Sequence, residues 1–310
     1  MATLRKVSAD AGANLMVVGF CALAIVVLTA VPATAFAGQD PILTIPSTPL
    51  PQRIWIDVNG DPLPFYNEDQ VMEFLRTADI VDRQSLPVGV TDPIKMKLRK
   101  DGIEVHAIFR YVDTVYDSVR MQDGRVRVNF KDSCHFEPAA YEISKMLGMD
   151  SVPPVVTRRV GTDNGTLQIW VYDAIMESDR DEESPDRIAW NQQVQLMYMF
   201  DALIGNDDRT AQNLLIDENF KLWLIDHTRA FYRRAEAANL GKVIYVERGF
   251  WEALQGLDAA SLNAAVGDYL TNSEIEQLLE RRDRVVAHVN QLIETRTEGA
   301  VLYEWAPSGR

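Results

Sequence analysis

Apolar positions along the chain switch between a two-residue and a helical period, and the switches mark out an α+β protein. Residues 54–58 read as a short strand ended by the Asn59-Gly60 turn. Asn67 is placed to cap a helix running through Thr77, with Val71, Phe74 and Leu75 on one face. From Leu86 strands dominate: Ile94, Met96 and Leu98 alternate with Lys95, Lys97 and Arg99, which predicts a half-exposed strand with a basic outer face. Asp101-Gly102 turns the chain into a returning strand over 105–112, and 126–130 is a further strand. Pro138 in a first turn and Gly148 just past an end bracket a helix opening at Glu137. Residues 155–159 and 166–172 then pair as a hairpin around Asp163-Asn164-Gly165.

The second half is helical. Ser184-Pro185 opens a helix in which Trp190, Val194, Met197, Phe200 and Leu203 recur at helical spacing, a stripe made for a core. Helices follow over 248–257, 259–270 and 272–295. The last has a Thr271/Glu274 capping box, and Ile275, Leu278, Leu279, Val286, Val289 and Ile293 form its buried face. This order predicts a strand-rich first lobe over 54–172 and a helical second lobe over 173–310, with polar loops at the seam.

The densest chemistry lies at that seam, in residues 200–231. Asp208 and Asn213 are five residues apart, the spacing of a kinase catalytic loop, where the Asp accepts a hydroxyl proton and the Asn holds a metal ion. Strands over 214–216 and 222–225, joined by the turn Asp217-Glu218-Asn219, bring Asp226 back beside Asn213. Two oxygen ligands at adjacent strand ends suit Mg2+, which takes one or two carboxylates plus substrate phosphates. The bland alternative is a polar turn in which Asp207 and Asp208 serve the backbone.

Asp208-Arg209-x-x-x-Asn213, followed by Leu224-Ile225-Asp226-His227, resembles the atypical kinases of the phosphoinositide 3/4-kinase-like and HipA-like group. In that group an Asp-Arg-His-x-x-Asn type of loop precedes an Ile-Asp pair. The resemblance implies a two-lobed protein-kinase-like fold, ATP and Mg2+ between the lobes, and a hydroxyl of a protein or small molecule as acceptor. It makes Asp208 the catalytic base and gives the metal to Asn213 and Asp226. It also lays the loop around Gly89 over the phosphates, pairs Arg110 with Glu137 beside them, and brings backbone of 171–174 to an adenine. The sequence departs from the pattern at Thr210, where many relatives place His, and at Arg110, where a lysine is expected. Arginine keeps the charge and can fork onto phosphate oxygens, but differs in reach and geometry. Lys131 is a less well-placed substitute. For Glu137 the alternative is an acid favoured by the helix dipole, worth about 0.3–1 kcal/mol. For Gly89 it is a plain turn; Arg229, three residues past Asp226, is expected either to face phosphate or acceptor or to make a surface salt bridge.

Composition narrows the partners. The 310 residues are 47% hydrophobic and 25% charged, an ordinary globular balance, with a formal net charge of −14. Such a surface repels nucleic acid and anionic headgroups, which sets it against a phosphoinositide substrate in a membrane. Arg5 and Lys6, the apolar run 15–31 and Ala35-Phe36-Ala37 predict a signal peptide over 1–37, followed by a linker over 38–53, and hence export to a periplasm or the exterior. The run 15–31 falls just short of a spanning helix, so an uncleaved membrane anchor is the alternative. Cys134 is the one cysteine outside this segment, which excludes an internal disulfide and makes it a small core residue. Four histidines without paired metal spacing argue against zinc. The acidic stretch 177–186 lacks the glycine of a calcium loop and reads as solvated. The leading function is a Mg2+-dependent phosphotransferase. A catalytically silent pseudokinase acting as nucleotide-binding protein or scaffold is the alternative, favoured by Arg110; nucleotidyl transfer in the same seam is a third outcome.

Overall fold

Helix α1 (Glu68–Thr77) begins where Asn67 accepts the N–H of Gln70, and it precedes strands β1 (Asp79–Ser85), β2 (Ile94–Lys100) and β3 (Ile103–Arg110). A ribbon of β4 (Asp113–Arg120) and β5 (Val126–Ser133) intervenes before α2 (Phe136–Met146), β6 (Val155–Val160) and β7 (Asp163–Ile169). The chain is described by a computed structural model at residues 54–86, 93–120, 124, 126–232, 237 and 239–304. The segments expected to be signal peptide and linker, and the loop carrying Gly89, lie outside the described residues.

Five of these strands form one antiparallel sheet in the order β1-β2-β3-β7-β6. Its buried face, with Met96, Leu98, Val105, Ala107, Phe109, Leu167 and Ile169, shares a core with Val71, Phe74 and Leu75 of α1. Each such side chain contributes about 1.5–3 kcal/mol by leaving water. Residues 171–174 lead from β7 into β8 (Ala174–Met176). Helix α3 (Arg187–Ile204) follows, then β9 (Leu214–Asp217) and β10 (Leu222–Leu224), which join β8 in a second sheet of order β10-β9-β8. The remainder is mainly helical: β11 (Val246–Glu247), α4 (Arg248–Gly256), α5 (Ala259–Val266), α6 (Asn272–Arg296), α7 (Glu298–Val301) and β12 (Leu302–Tyr303). The Thr271/Glu274 capping box is present at the start of α6. From α6 the buried Arg281 donates to the Leu203 carbonyl at 2.8 Å and to that of Tyr232 at 3.3 Å, tying down the end of α3.

Several local expectations are corrected. Residues 54–58 form no strand; Ile56 makes a single bridge to Pro62. Strands β1 and β4 are almost wholly exposed, so no hydrophobic alternation announces them; pairing to a neighbour defines them. Asp163, Asn164 and Gly165 lie inside β7 rather than at its turn. A Cβ on Gly165 would sit 2.3 Å from the Arg110 carbonyl and 2.6 Å from the Phe109 ring, so the glycine serves a close approach. Helix α3 is capped by Asp186, which accepts the N–H of Ile188 and Ala189, not by Ser184. Helix α5 stops at Val266, short of residue 270. Cys134 is buried and free; burial, with Asp113 and Glu137 nearby, pushes its thiol up to about 11, which suits packing rather than nucleophilic work. Among the described residues no helix is long and apolar enough to cross a membrane.

Candidate functional site

Gly205, with φ of +66°, ends α3 and releases the chain into the 206–213 loop. The loop is held by the buried Asp201, in the last turns of that helix. Asp201 accepts Asn206 Nδ2 at 3.0 Å and the Arg209 guanidinium at 2.9 and 3.0 Å. Arg209 Nη1 then donates to the carbonyls of Asn213 at 2.8 Å and Ile225 at 2.6 Å. One guanidinium thus staples helix end, loop and the residue before Asp226. Sequence reasoning gave neither Asp201 nor Arg209 a role. The available signal was an acid directly after Phe200, inside an apolar stripe.

The β9–β10 register pairs Leu224 with Leu214, and the Ile225 N–H donates to the Asn213 carbonyl at 3.3 Å. Asn213 and Asp226 therefore stand at neighbouring strand ends. Asn213 Nδ2 donates to the Asp208 carbonyl at 3.0 Å, leaving Oδ1 without a donor among the described residues. Asp226 has φ of +59°, a left-handed conformation that aspartate tolerates better than most residues, and its carboxylate accepts the Thr228 hydroxyl at 3.2 Å. These two hard oxygens fit a cation that completes its shell with water and phosphate. Among the described residues no group of three or more His, Cys, Asp or Glu could hold a metal by itself.

On the sheet side, Arg110 Nε lies 3.5 Å from Glu137 Oε1, and the carboxylate is fully buried. Glu137 also accepts the backbone N–H of His227 at 3.1 Å and faces His227 Nδ1 at 3.1 Å. Burial alone would raise this acid, but the Arg110 charge and the His227 donors outweigh it and hold the carboxyl down at about 2. Arg110 Nη1 is buried without a hydrogen-bond partner among the described residues, a cationic donor suited to a phosphate oxygen. Lys131 does not substitute for it; it lies 3.7 Å from Glu274 and over the Phe136 ring.

Asp208 Oδ2 accepts Arg229 Nη1 at 3.2 Å, and Arg229 Nε donates to the buried Asp132 at 2.8 Å. Burial raises the Asp208 pKa, Arg229 pulls against that, and Asp226 adds to the rise. Asp207 pairs with the buried Arg127 of β5. The turn itself is made by Asn206, whose Oδ1 accepts the Asp208 N–H at 3.2 Å, so neither aspartate serves the backbone. Arg229 makes a half-buried bridge rather than a surface salt bridge. Trp223 is core: its ring packs tilted against Trp55, and its indole N–H donates to Asp217.

No protein-family model matches the chain, and no curated protein matches it in sequence. Among solved structures it is similar to a hydra Fam20 determined with sugar, at 14% identity and a TM-score of 0.57 over 76% of this chain and 92% of that one. It is similar to the Golgi casein kinase at 15% identity and a TM-score of 0.58, over 77% and 78% of the two chains. The same kinase with Mn/ADP bound aligns at 14% identity and 0.57, over 77% and 80%. At these identities the likeness establishes the architecture alone: the chain has an α+β, protein-kinase-like fold.

Proposed function

We propose that this chain is a divalent-metal-dependent phosphotransferase that moves the γ-phosphoryl group of ATP to a hydroxyl of a protein or small molecule. The observation that carries the reading is Glu137. It joins Arg110, at the end of a sheet strand, to the backbone of His227, the residue after Asp226. The basic group meant for phosphate and the acid meant for metal are thus fixed to one buried carboxylate.

Asn213 and Asp226 would hold the cation, Mg2+ or Mn2+, which supplies charge neutralisation across the phosphate oxygens. The Mn/ADP form of a fold relative supports a metal–nucleotide pair. Arg110 Nη1 would donate to a phosphate oxygen, and the backbone over 171–174, by its order in the chain, would meet the adenine. Asp208 orients the acceptor hydroxyl and takes its proton as the oxygen attacks the γ-phosphorus and the bond to the bridging oxygen of ADP breaks. The motif likeness to phosphoinositide 3/4-kinase-like and HipA-like enzymes supports the same roles. The leader over 1–37 and the Golgi setting named for one fold relative support export. Intact-mass analysis from the native host should show loss of residues 1–37; a full-length chain in the membrane fraction would favour the anchor.

The test is metal-dependent nucleotide binding. ATP with Mg2+ or Mn2+ should raise the melting temperature, by about 2.7 kcal/mol of stabilisation at a hundredfold excess over Kd. Asp226→Ala should abolish that gain while leaving the fold intact, the free protein melting only slightly lower because alanine tolerates the left-handed φ less well than aspartate. A wild-type protein indifferent to nucleotide and metal sinks the proposal. Arg110 in place of lysine favours a second reading, a pseudokinase that binds nucleotide without transfer; binding without turnover would select it.

A further inference from the structure

The β4–β5 ribbon sits in the chain between β3 and α2, and it reaches the acidic loop at two points. Buried Arg127 pairs with Asp207, and buried Asp132 accepts Arg229 Nε at 2.8 Å while Arg229 Nη1 donates to Asp208 at 3.2 Å. A third tie runs through the backbone, where the Ser133 N–H donates to the Thr228 carbonyl at 2.8 Å. Tyr232, just past this segment, donates its hydroxyl to the Val128 carbonyl at 3.0 Å and packs its ring near Phe130.

We infer that the ribbon is the positioning device for the acceptor side of the site, with Asp132 and Arg229 as positioning residues that hold the Asp208 carboxylate in place. The inference rests on the phosphotransferase reading for its catalytic consequence, but the mechanical link is independent of it.

Three observations carry it. Asp132 is almost fully buried while Arg229 and Asp208 are partly exposed, so the anchor is rigid and the working end is open. Arg229 spends Nε on the anchor and Nη1 on the carboxylate; a guanidinium can reach two acids from fixed geometry where an ammonium on a flexible stem cannot. Among the described residues only Oδ2 of Asp208 is engaged, so Oδ1 stays available to an acceptor hydroxyl. The bridge therefore orients the carboxylate without occupying it.

The experiment uses the full chain with Asp132→Asn, Arg229→Lys and Arg229→Ala. Hydrogen exchange over 206–213 should rise in Arg229→Ala and in Asp132→Asn, with α2 and β7 as protected as in wild type. Arg229→Lys should fall between. With dephosphorylated casein and water as test acceptors, turnover of ATP should drop by about 10²-fold in Arg229→Ala, the scale of a misplaced group. Nucleotide affinity should not change, and added guanidinium should restore part of the turnover. Unchanged exchange across the loop in both Arg229→Ala and Asp132→Asn overturns the inference, as does a loosened loop with full turnover. If the wild type binds no nucleotide, the phosphotransferase reading fails alone, and exchange still decides the ribbon-to-loop link.

Discussion

The two charge networks at the seam are built differently. Arg110, Glu137 and His227 form a sealed one: both the acid and the histidine are fully buried, and the carboxylate receives donors from two sides. Asp132, Arg229 and Asp208 form an open one, buried at the anchor and about a third exposed at Asp208. A buried charge is costly unless every partner is kept, so the sealed network ties fold integrity to site geometry. An exposed carboxylate gives less to stability but remains reachable by an acceptor. On the proposed phosphotransferase reading, the comparison separates the scaffold from the working group.

The sharpest way to break it is to remove one acid from each side. Asp208→Asn should cut turnover by about 10²–10⁴-fold, the usual share of a positioned base, while nucleotide binding survives. Equal loss of binding and turnover in kinetic assays would place Asp208 in the wrong network. Glu137→Ala should do the reverse, lowering stability by about 3–5 kcal/mol in denaturant melts because Arg110 is left buried and unpaired. A Glu137→Ala protein that unfolds like wild type would contradict the sealed description.

Acid offers a gentler cut. The Glu137 carboxyl is held at about 2, below its ordinary 4.5, so its stabilisation is complete above about 4.5 and is lost as pH falls toward 2. That corresponds to on the order of 3 kcal/mol. Melting curves across this window should be steeper for wild type than for Glu137→Gln, and parallel curves would refute it. Asp207→Asn is smaller still: it weakens the Arg127 pair and should cost about 1–3 kcal/mol of stability, with far less loss of turnover than Asp208→Asn. Cys134→Ala should cost about 1 kcal/mol and leave transfer intact, which the same assays would check.

Much of this was legible in the chain. Fold class followed from the change of period, and the adjacency of Asn213 and Asp226 followed from a hairpin short enough to have one register. What escaped has a common cause. Strands β1 and β4 carry few buried residues, so pattern could not find them. Gly165 looks like a turn residue in the sequence because its close approach to Arg110 and Phe109 is a tertiary fact. The Asp132–Arg229–Asp208 bridge joins residues far apart in the sequence, and local spacing carries no trace of it. Asp201 and Arg209 were visible as letters, yet their roles needed the staple between helix end and strand end.

The central claim is that Asp208, Asn213 and Asp226 form a phosphotransfer site beside the Arg110–Glu137 pair. Incubation of the protein with ATP, a divalent cation and hydroxyl-bearing test acceptors, followed by mass analysis of nucleotide and acceptor together, tests it most directly. The account predicts ADP and a phosphorylated acceptor or protein, both lost in Asp226→Ala. Pyrophosphate with a nucleotidylated product, or no change in either partner despite metal and ATP, would contradict it.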